Sequence, residues 1–162
     1  MWPVKLRLRF RDLDAPDLAD LDWSGGHEHL RSVADALTAA YAGEVALLVG
    51  SLANDQLVAL GGVDFRTDAE SGRLWMLTVD ERFQRLGIGS RLVGHLENRI
   101  LDEGRSRARL TVELDNPRAA ALYRRLGYVE AGPALDRWPV AGGHTYVAAC
   151  VAMMHELTTR PA

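Results

Sequence analysis

A mixed α/β domain is the fold class this sequence predicts, on three observations. Short β-rich apolar runs recur along the chain. They alternate with segments whose apolar residues return every three to four positions. One strand, ending near Val79, runs through a polar turn directly into a glycine-spaced helix start at Gly87 and Gly89. With 162 residues, 48% of them hydrophobic, and no linker-like stretch, residues 1–162 are expected to form a single domain around one core.

The elements follow in order. Val4 to Phe10 alternates apolar and basic residues with period two, as a strand with one buried face does. Asp14-Ala15-Pro16-Asp17 places a capping residue before a first-turn proline and predicts a short helix. A second helix is expected from about His29 to Tyr41, with Leu30, Val33, Ala34 and Leu37 on one face. Glu44–Leu52 and Gln56–Phe65 read as a hairpin joined by Ala53-Asn54-Asp55, with Gly61-Gly62 marking a bulge. Arg73–Val79 is the next strand, and from Ile88 a helix carries Leu92, Val93, Leu96 and Ile100 inward while His95 faces solvent. Gly104 ends that helix. Ala108–Leu114 makes a strand, Asn116-Pro117 caps and starts another helix, and Leu126-Gly127 closes it. After a loop over Pro133–Gly143, Thr145–Leu157 is apolar enough for a final strand.

Composition excludes several function classes. The net charge of −3, with both signs interleaved, offers no broad basic face to nucleic acid. No apolar run approaches the roughly 20 residues of a membrane helix or forms a signal peptide, so a soluble cytoplasmic protein is expected. The one cysteine, Cys150, sits in an apolar run and reads as a buried thiol. His27 and His29 flank Glu28 without a second ligand cluster, so no metal site is expected. Arg105, Arg107 and Arg109 alternate before a strand and read as a solvated entrance, with a phosphate contact as the alternative.

The segment Thr78–Leu92 carries the chemistry. Glycines at 87 and 89 let backbone N–H groups approach an anion, and the following helix N-terminus adds unpaired N–H groups and partial positive charge. A dinucleotide fingerprint would need glycine at 92, where Leu92 stands. An NTPase phosphate loop would need a lysine, and Lys5 is the only one in the chain. What remains, Gln84-x-x-Gly87-x-Gly89 after a strand, resembles the acyl-CoA signature of the GNAT family of N-acyltransferases. Downstream, Leu110-Thr111-Val112-Glu113-Leu114-Asp115-Asn116-Pro117 and Ala121-Leu122-Tyr123-Arg124-Arg125-Leu126-Gly127-Tyr128 resemble that family's strand, capped helix and exit.

The resemblance implies a central, mostly antiparallel sheet that splays at the acyl-CoA strand, flanked by helices, and acetyl transfer from acetyl-CoA to a primary amine by direct attack. Leu77, Thr78 and Val79 would present backbone groups to the pantetheine. The N–H groups of Gln84, Arg85, Leu86, Gly87, Ile88, Gly89 and Ser90 would surround the diphosphate, with Arg85 and Arg91 adding charge and Asn116 a further contact. Tyr123 would serve as general acid, since a phenol of pKa near 10 is protonated at neutral pH and a leaving thiolate, near 8.5, gains from its proton.

The base is the open point. An amine of pKa about 10.4 must lose a proton at pH 7, a cost of about 4.6 kcal/mol, and Arg73–Val79 carries no carboxylate where many relatives have a glutamate. Asp64 and Glu113 are the candidates, with His144 a third. Trp75, Trp138 and Tyr146 suggest an aromatic acceptor pocket or, alternatively, core. The acceptor, a small-molecule or peptide amine, carries no motif, and homodimer formation stays open. The alternatives are a non-catalytic acyl-CoA sensor and a transferase of a different acyl group.

Overall fold

The computed structural model describes residues 6–158. Seven strands among them form one sheet: β1 (Arg9–Asp12), β2 (Val45–Ser51), β3 (Leu57–Asp64), β4 (Ser71–Val79), β5 (Arg107–Glu113), β6 (Val129–Val140) and β7 (His144–Glu156). Their order is β1-β2-β3-β4-β5-β7-β6, and β4–β5 is the parallel pair in an otherwise antiparallel sheet. The helices are α1 (His27–Tyr41), α2 (Ile88–Asp102) and α3 (Pro117–Arg125).

The sheet is covered on both faces. On one, Leu92, Leu96 and Ile100 of α2 join Val63, Leu74, Leu110 and Met153, with Ala120 and Tyr123 of α3 in the same cluster. On the other, Val33 and Leu37 of α1 pack with Leu21 on Leu47, Val49 and Leu60. Strands β2 and β3 are buried along nearly their whole length and read accordingly as continuous apolar runs.

Local chemistry explains most boundaries. Asp14 accepts from Ala15 N at 2.9 Å while Asp17 accepts from Asp14 N at 2.8 Å, a reciprocal cap that starts a 3-10 helix over Ala15–Asp20 rather than an α-helix. Asn116 caps α3 through Ala119 N at 3.2 Å, ahead of Pro117. The glycine bulge is present: pairing slips between Leu60 and Gly62.

Three expectations change. The first strand runs Arg9–Asp12, since Arg9 pairs with Ser51 and β2 ends there; Val4 and Lys5 lie outside the described residues. The loop expected over Pro133–Gly143 is mostly strand, because β6 is the sheet's edge and an edge strand tolerates Pro133 and Pro139 without losing ladder bonds; only Ala141–Gly143 turns. His95 is exposed yet stacks on Phe10, 4.3 Å between ring centres.

Candidate active site

Strands β4 and β5 pair only from Ser71–Arg73 with Arg107–Arg109. Beyond Arg73, β4 stays on β3 while β5 stays on β7 as far as Glu113, so the two strands diverge and leave facing edges unpaired with each other. The divergence coincides with a bulge. Met76 adopts φ +59°, an unusual conformation for a side-chain-bearing residue, opposite the slip at Gly61. The Thr78 hydroxyl donates to Met76 O at 3.2 Å across the kink.

The open end of β4 leads into the loop before α2. Asp80, buried to 2% exposure, accepts from Arg82 N at 3.0 Å and pairs with the Arg82 guanidinium at 2.7 Å, which anchors the loop's first turn. The Gln84 side-chain amide donates to Val79 O at 3.3 Å. Arg85 and Gly87 take φ of +67° and +79°, and this left-handed backbone brings the chain onto the α2 N-terminus.

A groove of about 510 Å3 opens there, lined by Leu77, Val79, Phe83, Gln84, Arg85, Gly87, Ile88, Gly89 and Ser90 on one side and by Asn116, Arg118, Ala119, Leu122 and Arg125 on the other. Of the residues singled out in the sequence, it gathers Leu77, Val79, Gln84, Arg85, Gly87, Ile88, Gly89, Ser90 and Asn116. Thr78, Leu86 and Tyr123 are not among its walls. Arg91 turns away and donates to Leu6 O at 3.1 Å. Sequence reasoning missed Arg118, Leu122 and Arg125, although their spacing of four and then three places them on one helical face.

Tyr123, next to the groove-lining Leu122 on α3, belongs to the buried core cluster. It is 9% exposed, and burial pushes its phenol up to about 12. Its ring meets that of Tyr128 edge-on, with centres 5.9 Å apart.

The two candidate bases lie in contrasting settings. Burial pushes the Asp64 carboxyl up, but hydrogen bonds from the Arg66 side chain at 3.0 Å and backbone at 2.9 Å bring it net below its ordinary value. Glu113 is raised, first by burial, then by its hydrogen bond with Asp115 and the charges of Asp115 and Asp136. It stands at the end of β5, opposite Cys150 of β7, where the strands diverge. Asp136 accepts from Arg73 at 3.2 Å and from the Thr111 hydroxyl at 3.1 Å, a latch between β4, β5 and β6. His144 begins β7 at the far tip of the hairpin, across from Val140.

Other features resolve into structural roles. Arg105 donates from one nitrogen to Phe65 O, Asp68 O and Ser71 O, Arg107 pairs with Glu156, and Arg109 pairs with Asp68. This cluster stands at the start of β5, at the paired end of β4 and β5 opposite the groove; with Arg109 exposed it is the solvated strand entrance expected, and the phosphate alternative at the groove is not met. His29 Nε2 is 2.9 Å from Ser24 Oγ, and no metal-holding group of acidic, His and Cys residues occurs among the described residues. Cys150 is buried, as expected. Trp75 packs against the α1-side core, whereas Trp138 and Tyr146 contact each other at 4.9 Å and stay partly exposed. No described helix is long and apolar enough to cross a membrane.

Known proteins share this architecture. The model of the Acetyltransferase (GNAT) family matches residues 12–128. A [ribosomal protein bS18]-alanine N-acetyltransferase of Salmonella typhimurium is 33% identical over 102 residues, 63% of this chain and 68% of that protein. The crystal structure of the Escherichia coli ribosomal-protein-S18-alanine N-acetyltransferase superposes with TM-score 0.72 at 21% identity, over 96% of this chain and 97% of that one. The Vibrio cholerae spermidine N-acetyltransferase, crystallised with CoA and spermine, superposes with TM-score 0.70 at 18% identity, over 92% of this chain and 95% of that one. The splayed sheet, the glycine-spaced helix start and these matches agree: the chain belongs to the GNAT family of acetyl-CoA-dependent N-acetyltransferases.

Proposed function

We propose that this protein transfers the acetyl group of acetyl-CoA to a primary amine by direct attack on the thioester. One observation carries the reading: β4 parts from β5 beside the N-terminus of α2, so unpaired strand edges open next to a ring of backbone N–H groups. An extended pantetheine adds to the Leu77, Thr78 and Val79 backbone as a strand would. The diphosphate then meets the N–H groups from Gln84 through Leu86 to Ser90, where the helix dipole and Arg85 favour its charge. Asn116, which caps α3 and also lines the groove, contributes from the opposite wall.

Glu113 is the preferred base. Its raised pKa brings it closer to neutrality, while Asp64 is held by Arg66 and lowered, which makes it the weaker candidate. In the reaction solvent takes one proton from the cationic amine, the freed lone pair bonds to the carbonyl carbon, the second proton lost by nitrogen passes to Glu113 directly or through water, and the C–S bond breaks. Tyr123 gives its proton to the departing sulfur.

The acceptor class is a cationic primary amine, small molecule or peptide. Glu113 and Asp136 share the sheet face with Cys150, whose thiol burial pushes up and whose ionisation both carboxylates further oppose. The relatives named above act on spermidine and on a ribosomal-protein alanine, and both amines fit such a face. Thiol release from acetyl-CoA with spermidine, or with an alanine-terminated peptide, tests the proposal. Turnover that Tyr123→Phe abolishes supports it. Acetyl-CoA binding without turnover across a broad amine panel supports an acyl-CoA sensor instead.

A further inference from the structure

Arginines on the elements that build the groove fall into two groups. Arg82 pairs with Asp80, Arg91 donates to Leu6 O, and Arg124 pairs with Glu130. Arg85, Arg118 and Arg125, the three that line the groove, have neither a hydrogen bond nor an ion pair among the described residues. No acidic residue stands among the groove's walls, although the chain as a whole carries a net charge of −3. The groove is therefore a local concentration of uncompensated positive charge, which attracts anions.

Arg118 sharpens the point. It follows Pro117 in the first turn of α3, a turn with no acidic residue, where the partial positive charge of the helix end disfavours a cation. Arg125 lies seven residues on, about two turns along the same face, with Leu122 between them on the groove wall. A diphosphate accounts for the first wall, where backbone N–H groups, the α2 N-terminus and Arg85 converge. It leaves the two guanidiniums of α3 without an anion. Coenzyme A carries one more: a phosphate monoester on the 3′ carbon of the ribose whose 5′ carbon bears the diphosphate, with a charge of about −1.5 to −2 at pH 7.

We propose that Arg118 and Arg125 form a phosphate-monoester subsite on α3 that holds the ribose 3′-phosphate, so that the protein selects CoA thioesters over acyl donors built on the same pantetheine without that phosphate. The inference rests on the reading of the groove as the acetyl-CoA site. A guanidinium directs forked N–H donors at phosphate oxygens, which suits both residues to this anion. A bound monoester also offsets the unfavourable placement of Arg118 at the helix start. The 3′-phosphate is remote from the thioester and unchanged by the reaction, so the subsite acts on donor affinity rather than on the chemical step.

Calorimetric titration with acetyl-CoA and with acetyl-dephospho-CoA, which lacks only the 3′-phosphate, tests this on the wild type, on the double variant Arg118→Gln, Arg125→Gln, and on Arg124→Gln. The wild type should bind acetyl-CoA at least about tenfold more tightly than the dephospho compound, by the strength of charge-assisted hydrogen bonds at an exposed site. The double variant should bring that ratio within about threefold by losing affinity for acetyl-CoA while keeping its affinity for the dephospho compound. Arg124→Gln, which removes a cation of the same helix outside the groove walls, should keep the wild-type ratio. Equal affinity of the wild type for the two donors overturns the inference while leaving the acetyl-CoA site intact. A double variant that weakens both donors alike, or an Arg124→Gln protein that loses the ratio as well, overturns it too, since either result makes the arginines a general field rather than a subsite. Failure of the wild type to bind either donor sinks the underlying reading instead.

Discussion

Replacing Tyr123 by phenylalanine removes one oxygen from a residue that is 9% exposed and leaves its ring against Tyr128. With the phenol pushed up to about 12, the group is protonated at every usable pH and always ready to donate. Full transfer to a thiolate of pKa near 8.5 spans about 3.5 pKa units, or about 4.8 kcal/mol uphill. That step is affordable within an enzymatic barrier, but it favours a late proton transfer that begins as a strong hydrogen bond to the leaving sulfur. Removing the donor should lower kcat by roughly 10²- to 10⁴-fold. Because its hydroxyl is called on as the C–S bond breaks rather than on binding, acetyl-CoA affinity should hold within a factor of two or so, and stability within about 1 kcal/mol. Thiol release measured at saturating amine gives kcat, and calorimetry gives the Kd. A variant that turns over within about threefold of wild type would refute the acid role, and one that loses acetyl-CoA binding would show that the hydroxyl holds substrate instead.

Two further outcomes follow from the same geometry. Glu113 is raised by burial and by Asp115 and Asp136, so its basic form is lost on acidification at a higher pH than an ordinary glutamate's would be; kcat/KM should fall along that limb, and Glu113→Gln should lower the plateau roughly 10²-fold or more and flatten the limb. A Cβ on Gly72 would lie 2.5 Å from Val63 and 2.6 Å from Ile100, so Gly72→Ala should cost about 1–3 kcal/mol in denaturant unfolding, because β4 and α2 approach there through the missing side chain.

How much of this was legible in the sequence depends on whether the signal was local. The hairpin at Val45–Asp64, the capped start of α3 and the glycine-spaced entry to α2 were readable, because period, cap chemistry and turn residues lie within a few positions of each other. Strand β6 was not, since Pro133 and Pro139 argue for a loop until the residues are known to lie on an edge. The groove's first wall was visible in the Gln84–Ser90 motif, and its second came from α3, whose Arg118 and Arg125 have meaning only once the helix is docked. The Arg73–Asp136–Thr111 latch joins residues up to 63 positions apart and has no sequence signature. Nor does the left-handed Met76, a conformation that tertiary structure imposes on a residue with no preference for it.

Acetyl-CoA binding at the α2 N-terminus is the claim on which the rest depends, and Gly89→Glu tests it most directly. A Cβ at Gly89 meets only ordinary contacts, 3.7 Å to Leu122 and 4.0 Å to Val79, so the variant should fold while placing a carboxylate against the diphosphate. Calorimetric titration with acetyl-CoA should show one site per chain in the wild type and an affinity at least tenfold weaker in Gly89→Glu, with both proteins unfolding alike. Equal affinity in the two proteins, or no binding by the wild type, would contradict the account.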